Sequence, residues 1–265
     1  MLYKYTTLES LALILKSKNI RLNPLTGMDD LQESKTADEI NFGKFVFISS
    51  WMNQPLESIA MWKLYSNMQS GVRISLRRNP FRKYIVNKQD LQRLIPGAEL
   101  EGEKLEFIMP LEECFAENHF LINFNYNKLL EKVEYTDKPE QLNPQILDFG
   151  KEQLILKSGE LGKYKNTYWE FQNEERYILR FIPTNINEIE SSSNAAQLVC
   201  DSLVKTKEFL PYCDLEIEDD AYYSMEVTLA PQFSCGNRIL LDALIQQYNP
   251  DMKIIESALK DRVKL

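Results

Sequence analysis

Apolar side chains recur along the chain at two periods, and the switches between them mark the expected elements. Leu2 to Tyr5 reads as a short strand, and Leu8, Leu11, Ala12 and Leu15 then return every three or four residues, as on one face of a helix. Thr6-x-x-Glu9 has the form of a capping box and is expected to open that helix. Ile20 to Leu22 is a second short strand, ended by Asn23-Pro24. Residues 26 to 42 are polar and predict loop or a short helix, and Phe45 to Ser49 is a compact strand. A helix is expected from Glu57 to Asn67, where Ile59, Met61, Trp62 and Tyr65 recur at helical intervals. Gly71 to Leu76 alternates apolar and charged side chains, the pattern of a half-buried strand. Further strands are expected at Leu105 to Met109, Lys132 to Tyr135, Arg176 to Phe181 and Tyr222 to Leu229, and further helices at 143–158, 195–207 and 238–248.

Strands separated mostly by loops, without steady βα alternation, disfavour a doubly wound parallel sheet. The expectation is an α+β fold with a mixed or antiparallel sheet core and flanking helices. No Pro/Gly/Ser-rich linker divides the chain, so residues 1–265 are read as one domain, with the weakest pattern in 182–265. Composition agrees with a globular chain: 44% hydrophobic and 26% charged residues suffice for a sizeable core. The apolar run near the N-terminus is interrupted by Glu9 and lacks a basic leader, so it reads as mature fold rather than a signal peptide. No stretch of about 18 uncharged apolar residues offers a membrane span. Cys114, Cys200, Cys213 and Cys235 form no C-x-x-C pair and read as reduced thiols of a cytoplasmic protein.

The net charge of -8 argues against wholesale non-specific binding to nucleic acid. Between Gly71 and Ile95, however, Arg73, Arg77, Arg78, Arg82, Lys83, Lys88 and Arg93 face the single acid Asp90. Such runs are usually solvated faces, yet this one is the chain's candidate phosphate-facing surface, with Arg77, Arg78, Arg82 and Lys83 at its centre. Acidic runs lie at 99–117 and 214–220. His119 is the sole histidine, so His-based metal clusters are excluded and no metal is expected. Neither G-x-x-x-x-G-K-[ST] nor G-x-G-x-x-G occurs, which removes the P-loop and Rossmann motifs. Chemistry must run on carboxylates, aromatic rings, arginines and hydroxyls.

Four segments concentrate such groups: Leu2-Tyr-Lys-Tyr-Thr6, Phe47-Ile-Ser-Ser-Trp51, Met61-Trp-Lys-Leu-Tyr65 followed by Gly71-Val72, and Trp169-Glu-Phe-Gln-Asn-Glu-Glu-Arg176. In this order, over residues 2 to 181, the chain resembles an uncharacterised bacterial domain family whose members often lie near phage-defence and mobile elements. That family in turn resembles the ADP-ribosyltransferase superfamily, above all its DarT-like and toxin-like branches. The resemblance implies a split-sheet fold, NAD as substrate, and a toxin or phage-defence effector acting on single-stranded nucleic acid or protein, with an antitoxin protein as a further partner. Tyr3-Lys4-Tyr5-Thr6 stands for the family's first motif, with Lys4 where relatives carry His. Ile48-Ser49-Ser50-Trp51 stands for the second, and Gln172-Asn173-Glu174 for the late Gln-x-Glu.

Cleaving the nicotinamide glycosidic bond builds positive charge on the ribose, which a carboxylate stabilises. Glu174 is the candidate anion. Gln172, two residues earlier on a segment expected to be extended, would point to the same side and orient the acceptor, and Tyr65 joins them as the third candidate catalytic residue. Tyr3, Trp51, Trp62 or Tyr65 offer flat faces for stacking, and Tyr5 is a further candidate contact to the cofactor. Thr6, Ser49 and Ser50 offer hydroxyls, and Lys4, Arg73 and Arg176 offer cations for the pyrophosphate. Each also has a plainer reading: Trp62 as core, Glu174, Glu175 and Arg176 as a surface ion-pair cluster, Ser49 and Ser50 as a strand-ending turn. The alternative to an enzyme is a non-catalytic nucleotide- or partner-binding module on the same fold.

Overall fold

The computed structural model describes residues 1–38, 40–98, 104–149 and 154–263. The chain opens with β1 (Leu2–Thr6), α1 (Leu8–Ser17), β2 (Asn19–Pro24), β3 (Val46–Met52), α2 (Ile59–Tyr65) and β4 (Val72–Leu76). α1 begins one residue later than the capping-box reading. Thr7 is the cap, its hydroxyl accepting the Ser10 N–H at 3.2 Å, while Thr6 stays in β1 opposite Val72. The β1–β4 ladder claims the Thr6 backbone and shifts the helix start. α1 buries Leu8, Leu11, Ile14 and Leu15, and Ser58 caps α2 by accepting the Met61 N–H at 3.3 Å.

The fold is α+β around a mixed sheet of 11 strands. From one edge the order is Lys253–Ile255, Glu226–Leu229, β4, β1, β3, Glu174–Ile182, His119–Leu121 and Phe115–Ala116. β2 bridges β3 to Cys213–Glu216, and Leu130–Lys132 pairs with Glu174–Ile182. The pairings are antiparallel save Glu226–Leu229 with Lys253–Ile255.

One irregularity of this sheet creates the site. Along one side β3 pairs continuously with Glu174–Ile182, from Met52 opposite Glu174 to Val46 opposite Arg180. Along its other side Met52 pairs with Tyr3 of β1, and Ile48 and Phe47 pair with Asn23 and Pro24 of β2. Between these two contacts no described strand pairs with Ser49, Ser50 and Trp51. β1 is committed to β4 over its whole length and leaves β3 after one pair. The sheet therefore splits, with α1, which links β1 to β2, as the far wall of the gap.

Elsewhere local pattern and fold part company. The helix expected at 143–158 is absent among the described residues there: Leu147–Phe149 and Leu154–Leu156 pair as antiparallel strands. Short apolar runs fit either period, and the pairing decides. β4 is buried at all five positions, so Arg73 and Ser75 are not on a solvated face. Tyr222 and Tyr223 belong to the helix Asp219–Tyr223, and only Glu226–Leu229 of the expected strand pairs. Lys132 and Tyr135 belong to two strands in different sheets, and Lys104–Phe107 pairs with Tyr84–Asn87 outside the main sheet. The helices expected at 195–207 and 238–248 form as Ala195–Lys205 and Cys235–Tyr248. No helix among the described residues is long and apolar enough to cross a membrane.

Residues 26 to 42, expected as loop or short helix, run between two 3-10 turns, Leu25–Gly27 and Phe42–Phe45. They lie tightly against each other: a Cβ on Gly43 would come 2.7 Å from Ser34 Cβ and 3.1 Å from Thr26 Cγ2. Gly43→Ala is expected to destabilise the protein by roughly 1–3 kcal/mol through overpacking. A lowered midpoint of urea unfolding at unchanged slope is the measurement; a wild-type midpoint would show that the Ser34 segment yields freely.

Candidate functional site

The split in the sheet opens into a cavity of about 620 Å³, within the roughly 300–1,000 Å³ usual for small-molecule sites. Tyr3, Lys4, Tyr5 and Thr6 line it from β1, and Ser49, Ser50 and Trp51 from the open edge of β3. Tyr65, Gln172, Glu174 and Arg176 complete the same wall, so Tyr5 and Glu174 share one cleft. Two of the residues singled out from the sequence stand elsewhere. Trp62 is fully buried, packed edge-on to Tyr5 at 4.8 Å with its indole N–H donating to Glu57 at 2.9 Å, so it is core. Arg73 is buried behind β1, stacked over Tyr3 at 4.7 Å and donating to the Pro55 carbonyl at 2.8 Å.

Glu174 starts the long strand and is buried, as is Arg176. They are no surface ion pair. Arg176 Nε donates to Glu174 Oε1 at 2.5 Å and Nη2 to Oε2 at 3.1 Å, while Nη1 meets Glu33 Oε2 at 2.5 Å. Lys165, also buried, lies 3.3 Å from Glu174 Oε2 and 2.8 Å from Glu33 Oε1. Burial alone would raise the Glu174 carboxyl, but the charges of Arg176 and Lys165 outweigh it and hold it down to about 2. Glu174 is thus a fixed anion at neutral pH, and its backbone N–H is held by the Tyr135 hydroxyl at 2.9 Å.

Gln172 and Glu174 are not on one extended segment. Gln172 ends the 3-10 helix Thr167–Gln172, and Asn173 turns the chain with φ 42° and ψ 57° before the strand begins. Lys165 brings the two side chains together: its ammonium donates to Gln172 Oε1 at 2.7 Å as well as to Glu174. The Gln172 amide donates in turn to the Tyr65 hydroxyl, which donates to Asp29 Oδ2. Lys165, Asp29 and Glu33 were not singled out from the sequence. Asp29 and Glu33 sit in a polar run that reads as loop, and Lys165 in Tyr164-Lys-Asn166 has no spacing that marks it.

Lys4 Nζ donates to the Ser50 carbonyl at 3.0 Å and to Ser49 Oγ at 3.4 Å, 5.6 Å from the Trp51 ring centroid. Trp51 N–H also donates to Ser49 Oγ, at 3.1 Å. Ser49 and Ser50 are therefore part of the strand edge that faces the cavity rather than a turn that ends the strand.

The centre of the basic tract is matched by carboxylates, most of them from the distant acidic run 214–220. Arg77 pairs with Glu218 and Asp220, Arg78 with Glu175, Arg82 with Glu216 and Lys83 with Glu106. These side chains remain about 40–50% exposed, but each already faces a carboxylate. His119 is buried, its ring against Phe181 and its Nδ1 2.8 Å from Asn118 Oδ1. Among the described residues no three His, Cys, Asp or Glu side chains are grouped to hold a metal ion. Compared with protein-family models, curated proteins and solved structures, the chain matches none of them.

Burial pushes the Lys4 ammonium down to about 8, against a smaller opposing pull from Glu174. A lysine lowered in the folded state costs stability where it must be charged. That cost is present in full below pH 8 and is relieved as pH rises from 8 toward the unfolded value near 10.4. In ¹³C-methyl NMR of the reductively methylated protein, one lysine signal, absent from Lys4→Arg, is expected to titrate near pH 8. A Lys4 signal titrating above pH 10 would show the amine to be well solvated.

Proposed function

We propose that the chain is an ADP-ribosyltransferase of the split-sheet type, which cleaves NAD at the nicotinamide bond and transfers ADP-ribose to an acceptor. The observation that carries this reading is Glu174, held ionised by Arg176 and Lys165 in the wall of an aromatic-lined cleft at the break in the sheet. Positive charge developing on a ribose beside it would find a preorganised anion that needs no reorientation. Gln172 and Tyr65 lie next to it in one hydrogen-bonded chain. Tyr3 supplies a partly exposed ring, with Tyr5 and Trp51 buried behind the wall, and Lys4 a cation for phosphate oxygens. The resemblance to toxin-like branches makes a nucleic-acid base or a protein side chain the acceptor, with a role as a toxin or phage-defence effector.

A second reading is a non-catalytic module that binds a nucleotide or partner on this fold. One observation favours it, that Arg176 and Lys165 offset much of the Glu174 charge, and so does one feature of the resemblance, in which Lys4 stands where the resembled superfamily carries His. The two readings part on turnover. Under the first, the protein releases nicotinamide from NAD, and Glu174→Gln slows release about a hundredfold, corresponding to about 3 kcal/mol of barrier. Removing one partner of a buried ion cluster costs roughly 3–5 kcal/mol of stability, so the comparison belongs at a temperature where circular dichroism shows both proteins folded. Glu175→Gln is the control, since the neighbouring carboxylate pairs with Arg78 and does not line the cavity. Equal turnover by Glu174→Gln and wild type would remove Glu174 from the chemistry. Tight NAD binding without turnover by the wild type would establish the module.

A further inference from the structure

Three carboxylates line the cavity among the described residues: Asp29, Glu174 and Asp214. Two are clamped by guanidinium groups. Arg176 holds both oxygens of Glu174, and Arg21 holds both oxygens of Asp214 at 2.9 Å each. A carboxylate so held is a poor proton acceptor, because protonation would forfeit two charge-assisted hydrogen bonds. Asp29 has no guanidinium partner within salt-bridge distance. Its nearest cation is Lys165 at 4.0 Å, and its side chain is 43% exposed, whereas that of Glu174 is 4% exposed. It is also held in place. The Tyr65 hydroxyl donates to Oδ2 and the Asp30 N–H to Oδ1 at 3.1 Å. One relay of donors, from Lys165 to Gln172 to Tyr65, runs toward Asp29, while Lys165 also donates to Glu174. Burial and the Asp29 charge push the Tyr65 hydroxyl far up, so it remains a donor and is no base itself.

We propose that Asp29 is the general base that takes the proton from the acceptor, while Glu174 serves only as the fixed anion. This assignment rests on the transferase reading given above. In the step, the acceptor X–H forms an X–C1 bond to the ribose and its proton passes to an Asp29 oxygen. The C1–N bond breaks, and its electron pair leaves with nicotinamide, cancelling the ring's positive charge. Asp29 then returns the proton to solvent through its exposed side, a route that buried Glu174 lacks.

Water and azide, used as alternative acceptors with NAD, separate the two roles. Water must lose a proton on attack, and azide has none to lose. Asp29→Asn is therefore expected to lower kcat for NAD hydrolysis about a hundredfold, within the range general-base catalysis contributes. KM for NAD should change little, and azide should restore nicotinamide release to near the wild-type rate. Glu174→Gln is expected to slow both reactions, because its charge acts on the ribose whichever acceptor attacks. Asp29→Ala gives a second check: formate added to the solution should restore hydrolysis by supplying the missing carboxylate. Equal losses with water and azide in Asp29→Asn, together with no formate rescue in Asp29→Ala, would overturn the assignment while leaving the transferase reading intact. No nicotinamide release by the wild type with either acceptor would remove both.

Discussion

The architecture of the cleft depends on Arg176. A guanidinium buried this deeply costs several kcal/mol of lost hydration unless its donors are met by charge in good geometry. Two carboxylates meet it, Glu174 from its own strand and Glu33 from the polar segment after β2, while the Gly162 carbonyl accepts from Nη1 at 3.1 Å. Lys165 closes the set by contacting the same two carboxylates. Three separate stretches of chain, at residues 33, 162–165 and 174–176, are thereby tied to one point. The cluster fixes where Glu174 stands, and through Lys165 it fixes Gln172, Tyr65 and Asp29. Truncating any one member would leave an uncompensated charge inside, so the geometry is held by the penalty for leaving it.

The gap in the sheet has a different origin. β3 is paired continuously on one side and only at its ends on the other, which leaves the edge at Ser49 to Trp51 facing the cleft. An open edge within a sheet is expensive if dry, since its backbone groups need partners. Lys4 meets part of that need by donating to the Ser50 carbonyl. It pays with its own hydration, which is why its ammonium is lowered. Lys4 is thus tied to the edge through its terminal nitrogen.

Much of this was legible in the sequence. Short strand-like runs marked β1, β3 and β4, and the four aromatic and polar segments named about half of the cavity wall, since side chains grouped on strand edges leave a local signature. Three things were hidden. The pairing of Leu147–Phe149 with Leu154–Leu156 depends on partners that a short apolar run does not name. The convergence of Gln172 and Glu174 depends on Lys165 and a left-handed Asn173, not on strand periodicity. The neutralised basic tract depends on an acidic run more than a hundred residues later in the chain, and charge counted along a sequence says nothing of charge across a fold.

The charge remaining in the cleft follows from these pairings. Arg176 and Lys165 carry two positive charges, Glu174 and Glu33 two negative ones, and the four compensate one another within contact distance. Arg21 and Asp214 likewise cancel. What is left on the walls near the break in the sheet is Lys4, with no carboxylate in its hydrogen-bonding shell, and Asp29, with a cation only at 4.0 Å. Near the break a ligand meets this one cation and this one anion, with Lys16 of α1 a further cation on the far wall, rather than a uniformly charged surface. Field lines in a cavity walled by apolar and aromatic side chains are weakly screened, so two such charges orient a dipolar guest more strongly than a surface pair would. A dipolar molecule, with anionic groups at one end and positive charge at the other, has the polarity this arrangement selects.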